Sequence, residues 1–281
     1  NALQANTTGS YNTAFSRTAL FNSTTGVYNT AVGAQAMCTN STGSYNTASG
    51  YSALYSNTTG SFNTASGNWS LFANTTASYN TAVGMYALYL NTTGAANTAT
   101  GYNALKSTTT GGSNTASGYG ALKANTTGAN NVASGFGALY CNTTGPSNVA
   151  VGYQSLHRNQ SGTNNTAIGD SSMWCNTTGG HNTASGASAL AANTTGSYNT
   201  ATGRYALCSN TTGNNNTAIG YCSLFSNTSG CYNLTSGSYA LYTNTTGTFN
   251  TATGYQSLYC NTTASYNTAV GACTLFANRS E

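Results

Sequence analysis

The chain has 281 residues and a net charge of +4, and only 3% of its residues are charged, against roughly a quarter in ordinary globular domains. Its six Lys and Arg residues are scattered, so the basic stripe typical of nucleic-acid binding is missing. No apolar run approaches the ~18 residues of a membrane span. We therefore expect no nucleic-acid partner and no membrane insertion of this segment.

A repeat of 17 residues runs through the chain. An asparagine recurs every 17 residues from Asn12 to Asn267, without insertion or deletion. With this asparagine as position 0, the repeat reads Asn-Thr-Ala-x-Gly-x-x-Ala-Leu-x-x-Asn-Thr-Thr-Gly-x-aromatic, and its last position is also called −1 of the next repeat. A polar composition alone would suggest disorder. A strict period with a fixed leucine at +8 instead predicts coils that stack on one another.

The spacing of the glycines favours strands over helices. Glycines at +4 and +14 divide the repeat into strand-sized segments, and the repeat is too short for the helix pairs of helical repeat families. We predict an all-β parallel β-solenoid (β-roll) of 16–17 coils, with 17 residues and two short strands per coil. The strands are expected at about −1 to +3, as in 79–83, and at +6 to +10, as in 86–90.

The repeat predicts a single uninterrupted array over residues 1–281 without visible caps. Solenoids ordinarily cover their ends with polar caps. Uncapped ends would indicate either a piece of a longer array or end-to-end stacking into a filament. No signal peptide is recognisable, so we expect a processed or partial polypeptide.

The core of such a coil must be thin. We assign Ala +2 and Leu +8 to it, with the small residue at +7 near a wall, because only +8 is reliably large and apolar. Asparagines at position 0 are expected to form a ladder of amide hydrogen bonds between coils. The predicted leucine ladder consists of Leu20, Leu54, Leu71, Leu88, Leu105, Leu122, Leu139, Leu156, Leu190, Leu207, Leu224, Leu241, Leu258 and Leu275.

The run Asn-Thr-Ala-Val-Gly at 29–33, 80–84 and 267–271 resembles the head-domain repeat of YadA-like trimeric autotransporter adhesins, Asn-Ser-Val-Ala-Ile-Gly-x-x-Ser-x-Ala. The resemblance implies a left-handed parallel β-roll, three of which pack into a trimer that binds host or matrix surfaces. This chain has a longer period and an added Asn-Thr-Thr-Gly corner. It also carries Thr and Ser at +1 and +3, where the family has Val and Ile facing the trimer axis. The β-roll therefore carries over better than the trimer.

The asparagine at +11 forms the N-glycosylation signal Asn-x-Ser/Thr in most repeats. The asparagine at 0 is usually followed by Thr-Ala, so asparagine content alone does not create the pattern. Glycans would keep a chain of low charge soluble. The alternative is a corner in which the asparagine side chain bonds its own backbone. The candidate glycosylation sites are Asn6, Asn22, Asn40, Asn57, Asn74, Asn91, Asn125, Asn142, Asn159, Asn176, Asn193, Asn210, Asn227, Asn244, Asn261 and Asn278.

Two rows of aromatic residues are expected on the surface. Position +9 is aromatic in ten of sixteen repeats, and position −1 in nine. Exposed aromatic rows need a partner, which could be sugar rings, a neighbouring chain, or rings stacked on the same array.

The sequence offers few residues for catalysis or metal binding. The eight cysteines form no CxxC motif, so a zinc site is not supported, and we expect unpaired thiols or, alternatively, inter-chain disulfides. Asp170 lies between His157 and His181 in sequence, and Ser171 or Ser172 could complete a triad, but the repeat places these residues on different walls. We expect no enzyme, no catalytic residues, no cofactor and no metal.

These observations favour a structural extracellular fibre or stalk on a cell or virion surface, glycosylated and self-assembling by end-to-end stacking or lateral contact. One alternative is an adhesin head that binds host or matrix surfaces, although no non-repetitive tip is visible. Another is an ice-binding solenoid, because the threonines at +1 and at +12 and +13 form regular rows. A glycan at +11 would obstruct the second of those rows.

Overall fold

The computed structural model describes residues 1–278, and the chain divides into two compact units, Asn1–Thr144 and Gly145–Glu281. Each unit is a stack of coils with the predicted 17-residue period. The first unit contains β1 (Thr13–Phe15), β2 (Thr30–Val32), β3 (Thr47–Ser49), β4 (Thr64–Ser66), β5 (Thr81–Val83), β6 (Thr98–Thr100), β7 (Thr115–Ser117) and β8 (Val132–Ser134). The second contains β9 (Val149–Val151), β10 (Thr166–Ile168), β11 (Thr183–Ser185), β12 (Thr200–Thr202), β13 (Thr217–Ile219), β14 (Leu234–Ser236), β15 (Thr251–Thr253) and β16 (Thr268–Val270).

Within each unit, every strand pairs in parallel with the equivalent strand of the next coil. The register is the repeat itself, so Thr47 lies opposite Thr64 and Ala48 opposite Ala65. Side chains at +1 and +3 point outward and those at +2 point inward, as the alternation of a strand requires. The prediction of an all-β parallel β-solenoid is confirmed.

The structure corrects one detail of that prediction, because each coil has one strand and not two. The segment predicted as the second strand is a pair of turns. In the coil of Leu88, the Ala87 amide donates to the Gly84 carbonyl at 3.2 Å and the Asn91 amide to the Leu88 carbonyl at 3.2 Å. Residues at +6 and +8 have left-handed backbones, as Tyr86 with φ 60° and Leu88 with φ 53°, whereas strands need negative φ.

The turns have a physical reason. An extended segment of five residues would span about 17 Å, much longer than the three-residue strand on the opposite wall. Two turns shorten this wall, so that the coil closes around a single leucine. A left-handed backbone costs roughly 1–2 kcal/mol for a residue with a side chain. Hydrogen bonds to both neighbouring coils hold it: the Leu88 amide donates to Ala104 and the Tyr86 amide to Asn68.

The core is as narrow as the composition suggests. Alanines at +2 and leucines at +8 are fully buried from Leu20 to Leu258, and Met37 and Met173 fill the same position in two coils. Leu275, in the last described coil, is 50% exposed. Each fully buried leucine stabilises the fold by roughly 1.5–3 kcal/mol, and one such side chain per coil makes the leucine row the main apolar contribution.

The glycine at +4 is required by both its backbone and its neighbours. Gly84 has φ 126°, and an added Cβ would lie 2.7 Å from the Gly101 carbonyl oxygen. A side chain at +4 is therefore disfavoured by the backbone conformation and also by contact with the next coil. The first repeat has Ser16 at this position with φ 114°.

Candidate functional site

The asparagine at position 0 links each coil to the one before it. The Asn63 backbone amide donates to Oδ1 of Asn46 at 2.9 Å, and Nδ2 of Asn63 donates to the same oxygen at 3.2 Å. Nδ2 also donates to the Ala77 carbonyl within its own coil at 2.9 Å. Asn46 and Asn63 are fully buried. The ladder expected at this position is present, and it also ties the two ends of each coil together.

A second asparagine ladder occupies position +11. Nδ2 of Asn57 donates to the Gly60 carbonyl at 2.9 Å and to Oδ1 of Asn40 in the preceding coil at 2.8 Å. Nδ2 of Asn74 in turn donates to Oδ1 of Asn57 at 2.9 Å. The Asn57 amide therefore donates two hydrogen bonds and accepts one, all with protein groups.

The burial of this ladder bears on the glycosylation hypothesis. An N-linked glycan is carried on Nδ2 of asparagine, and in Asn57 that atom is buried and donates two hydrogen bonds. The Asn-Thr-Thr-Gly segment is instead the corner that the sequence left open as the alternative. The fully buried candidates are Asn40, Asn57, Asn74, Asn91, Asn125, Asn142, Asn159, Asn176, Asn193, Asn210, Asn227, Asn244 and Asn261.

Three candidates lie outside that buried group. Asn6 and Asn22 are exposed, although Nδ2 of Asn6 donates to the Gly9 carbonyl at 2.9 Å. Asn278 is half-buried, and its Nδ2 donates to Oδ1 of Asn261 at 3.1 Å. The row at +11 thus does not present a periodic series of exposed asparagine side chains.

Each unit has an outer strand face that is open to solvent. We define it as positions −1, +1 and +3. In the first unit these positions carry Thr, Ser, Val, aromatic and other uncharged residues throughout 11–134. Thr47 and Ser49 of β3 are exposed, while Ala48 between them is buried. This face is therefore uncharged, regular and open.

Aromatic rings form a continuous stack along position −1 in the first unit. Tyr11, Tyr28, Tyr45, Phe62 and Tyr79 follow each other with centroids 4.7, 5.0, 4.9 and 5.2 Å apart and planes within 13° of parallel. The rings are 48–76% exposed. Because each ring covers the face of its neighbour, the stack presents ring edges and phenol hydroxyls outward. The aromatic residues at −1 thus stack on one another along the same array, which is one of the three alternatives considered for this row.

A third aromatic row, at +5, was not anticipated from the sequence. Where position −1 becomes small or polar, at Ala96 and Ser113, the rings Tyr102, Tyr119 and Phe136 stack at +5 with centroids 5.3 and 5.1 Å apart. The aromatic ridge of the first unit therefore changes from one side of the strands to the other. The available signal was the recurrence of an aromatic residue directly after Gly +4.

The expected row at +9 is also present. It forms two stacks, Tyr55–Phe72–Tyr89 in the first unit and Phe225–Tyr242–Tyr259–Phe276 in the second, with centroids 5.1–5.3 Å apart. These rings are mostly half-buried, so they contribute to coil–coil packing more than to the surface.

Four of the cations lie over aromatic rings. Lys106 lies 5.0 Å from the Tyr86 centroid and Arg204 lies 4.7 Å from that of Tyr205. Arg158 lies 4.1 Å from the Trp174 centroid. Nζ of Lys123 donates to the Tyr140 hydroxyl at 2.6 Å, and this bond raises the pKa of Lys123. Such cation–π contacts contribute about 0.5–1 kcal/mol each at exposed sites.

The two histidines and the aspartate considered for a catalytic triad occupy three different repeat positions. His157, at +9, stacks on Trp174, and His181, at −1, stacks on Tyr198. Asp170, at +5, accepts a hydrogen bond from the Ser171 hydroxyl at 2.6 Å. The structure does not assemble these side chains into one site.

Residues 1–278 can also be described with respect to metal sites, disulfides and membrane spans. No group of three or more His, Cys, Asp or Glu side chains there could hold a metal ion, and none of the cysteines forms a disulfide. The same residues contain no helix long and apolar enough to cross a membrane. No protein-family model, curated protein or solved structure matches the chain.

Proposed function

We propose that this protein is a structural component of a fibre or stalk on a cell or virion surface, and that it assembles with further copies of itself through the outer strand face. The observation that carries the proposal is that different positions of the coil are buried between coils and exposed on its surface. Buried asparagine and leucine rows hold the coils together, while an uncharged, aromatic-rich face stays open to solvent.

The size of the face supports lateral contact. The first unit has eight strands; at about 4.8 Å per coil and about 3.3 Å per residue from −1 to +3, its face measures roughly 600 Å². Standard interfaces bury about 800 Å² per partner, so one unit supplies most of that area.

The 17-residue period of the face indicates which partner binds it. A partner that contacts every coil must present groups at the same spacing, and a second copy of this chain does so by construction. Charged side chains are absent from the face over 11–134, so two copies meet without like-charge repulsion. Exposed Val32, Val83 and the Tyr28 stack supply apolar area.

The test is the oligomeric state of the full chain, measured by sedimentation velocity and electron microscopy across a concentration series. We expect multi-chain rods that dissociate in the variant Tyr45→Lys, because this places an ammonium group in the centre of the aromatic stack. Thr59→Lys, an exposed +13 position away from the strand face, is the matched control and should assemble normally. A monomer at all concentrations, or equal assembly of both variants, would reject lateral association through this face.

Ice binding is a second candidate, favoured by one observation. The threonines at +1 stand in register on a parallel sheet, as Thr98 opposite Thr115, and in this region position −1 is small. Thermal hysteresis of the purified protein tests this candidate. The aromatic rings at +5 and −1 flank the threonine row, so we rank it below self-assembly.

A further inference from the structure

We propose that the stacked tyrosines are sites of oxidative cross-linking, in which tyrosines on consecutive coils couple to dityrosine when a one-electron oxidant reaches them. The proposal concerns the covalent chemistry of a single chain and does not depend on the fibre assembly proposed above. It rests on the spacing, the parallel orientation and the exposure of the rings.

The first stack supplies two adjacent pairs. Tyr11 and Tyr28 have centroids 4.7 Å apart and planes 5° apart. Tyr28 and Tyr45 are 5.0 Å and 13° apart. All three rings are about half exposed or more, so a small oxidant or an enzyme surface reaches their edges. Equivalent carbons of neighbouring rings face each other, because the register of the strands repeats every residue at the same position.

The chemistry balances with a peroxide as the oxidant. A haem peroxidase with hydrogen peroxide removes one electron and the phenolic proton from each of two tyrosines. The resulting phenoxyl radicals carry spin on the ring carbons ortho to oxygen, and a carbon–carbon bond forms between two such carbons. The two ortho hydrogens then move to the oxygens and restore both phenols. Overall, two C–H bonds break, one C–C bond forms, and the two electrons and two protons convert the peroxide to two waters.

The stack decides which tyrosines couple. A radical on Tyr28 has a tyrosine neighbour at contact distance on both sides, so coupling is intramolecular and benefits from a high effective concentration. Tyr79 has Phe62 on one side and Ala96 on the other in its row. Tyr198 lies between His181 and Asn215. These two rings are equally exposed tyrosines without a tyrosine neighbour in the row, and they serve as internal controls.

The other rows extend the same rule. Tyr102 and Tyr119 at +5 are 5.3 Å apart with planes 23° apart. Tyr242 and Tyr259 at +9 are 5.2 Å and 8° apart. At position −1 of the second unit, Phe249 separates two tyrosines and stacks on both, so this stack should not couple.

The experiment treats the dilute full chain with a haem peroxidase and hydrogen peroxide, digests it with elastase, and maps cross-linked peptides by mass spectrometry. We expect peptide pairs, each lighter by two hydrogens, that join 11 to 28, 28 to 45, 102 to 119 and 242 to 259. Tyr79 and Tyr198 should yield none within one chain. Equal cross-linking of Tyr79 and Tyr28, or cross-links only between chains, would overturn the proposal.

Two conservative variants sharpen the result. Tyr28→Phe keeps the ring in the stack but should abolish both cross-links of the first row. Phe62→Tyr completes the row and should create new links from 45 to 62 and from 62 to 79. Failure of Phe62→Tyr to recruit Tyr79 would contradict the role of stacking, whatever the oligomeric state of the protein.

Discussion

The asparagine row at +11 is continuous in one stretch of the first unit and interrupted in another. From Asn57 to Asn91, each side-chain amide donates to the preceding asparagine at 2.8–2.9 Å. At Thr108 the row is broken: Oδ1 of Asn91 is buried without a hydrogen-bond partner, and Asn125 reaches only the Thr108 hydroxyl, at 3.4 Å.

The comparison shows what the ladder requires. An asparagine amide both donates and accepts, so the chain of hydrogen bonds continues from one coil to the next. A threonine side chain is too short for its hydroxyl to reach both neighbours. One substitution therefore leaves a defect on each side of itself. A similar defect lies at Ser23, which also occupies +11 and whose buried hydroxyl has no partner. Leaving a buried polar group unsatisfied costs about 1–3 kcal/mol.

The largest expected effect comes from breaking the intact stretch. Asn57→Ala removes the bonds to Gly60 and Asn40 and leaves Asn74 without its acceptor. We expect a loss of about 3–5 kcal/mol in the free energy of unfolding, since several buried groups lose partners together. Thr108→Ala, in the interrupted stretch, should cost below about 1 kcal/mol, because its one bond is long. Urea denaturation of both variants measures the difference, and equal losses would contradict the ladder.

Repairing the interruption should stabilise the protein. Thr108→Asn supplies a donor for Oδ1 of Asn91 and an acceptor for Asn125, and we expect a gain of about 1–2 kcal/mol. Thr93→Asn, at an exposed +13 position, adds the same side chain without a ladder and should change stability by less than about 0.5 kcal/mol. A loss of stability in Thr108→Asn would show that the break relieves strain.

Much of this arrangement could be predicted from the repeat, because the residues that recur at fixed positions are also those whose chemistry determines the contacts between coils. A single large apolar residue per coil must be the core, and an asparagine at a fixed position of a parallel stack must meet its equivalent. The sequence also predicts which side of the strand faces solvent, since +1 and +3 alternate with a small +2.

Other features could not be predicted because they depend on backbone conformation. Leucine rarely adopts positive φ, so nothing in the sequence distinguishes the turn at Leu88 from a strand. The sequon motif is identical for an asparagine that points outward and for Asn57, which points inward. The row at +5 follows a glycine of positive φ, Gly101 in the coil of Tyr102, which resets the alternation on which the assignment of faces depends.

The smallest effect concerns Lys123 and Tyr140, which join the two coils directly after the break. The hydrogen bond from Lys123 to the Tyr140 hydroxyl raises the pKa of the lysine. A group whose pKa is raised by folding adds stability below its unfolded pKa of about 10.4 and loses that contribution as pH rises through the folded value. Lys123 is largely solvated, so the contribution is small.

Tyr140→Phe removes this bond but keeps the ring beneath the ammonium group, 4.9 Å from its centroid. We expect the variant to be slightly less stable than the parent near neutral pH, and this difference to shrink above pH ~10.4. Tyr79→Phe, which removes an exposed phenol from a row that contains no lysine, is the control for the loss of a tyrosine hydroxyl. A Tyr140→Phe deficit that stays constant with pH would mean that the hydroxyl acts by packing alone. In that case, the contacts across these two coils would be insensitive to charge, and the asparagine row would remain their main polar link.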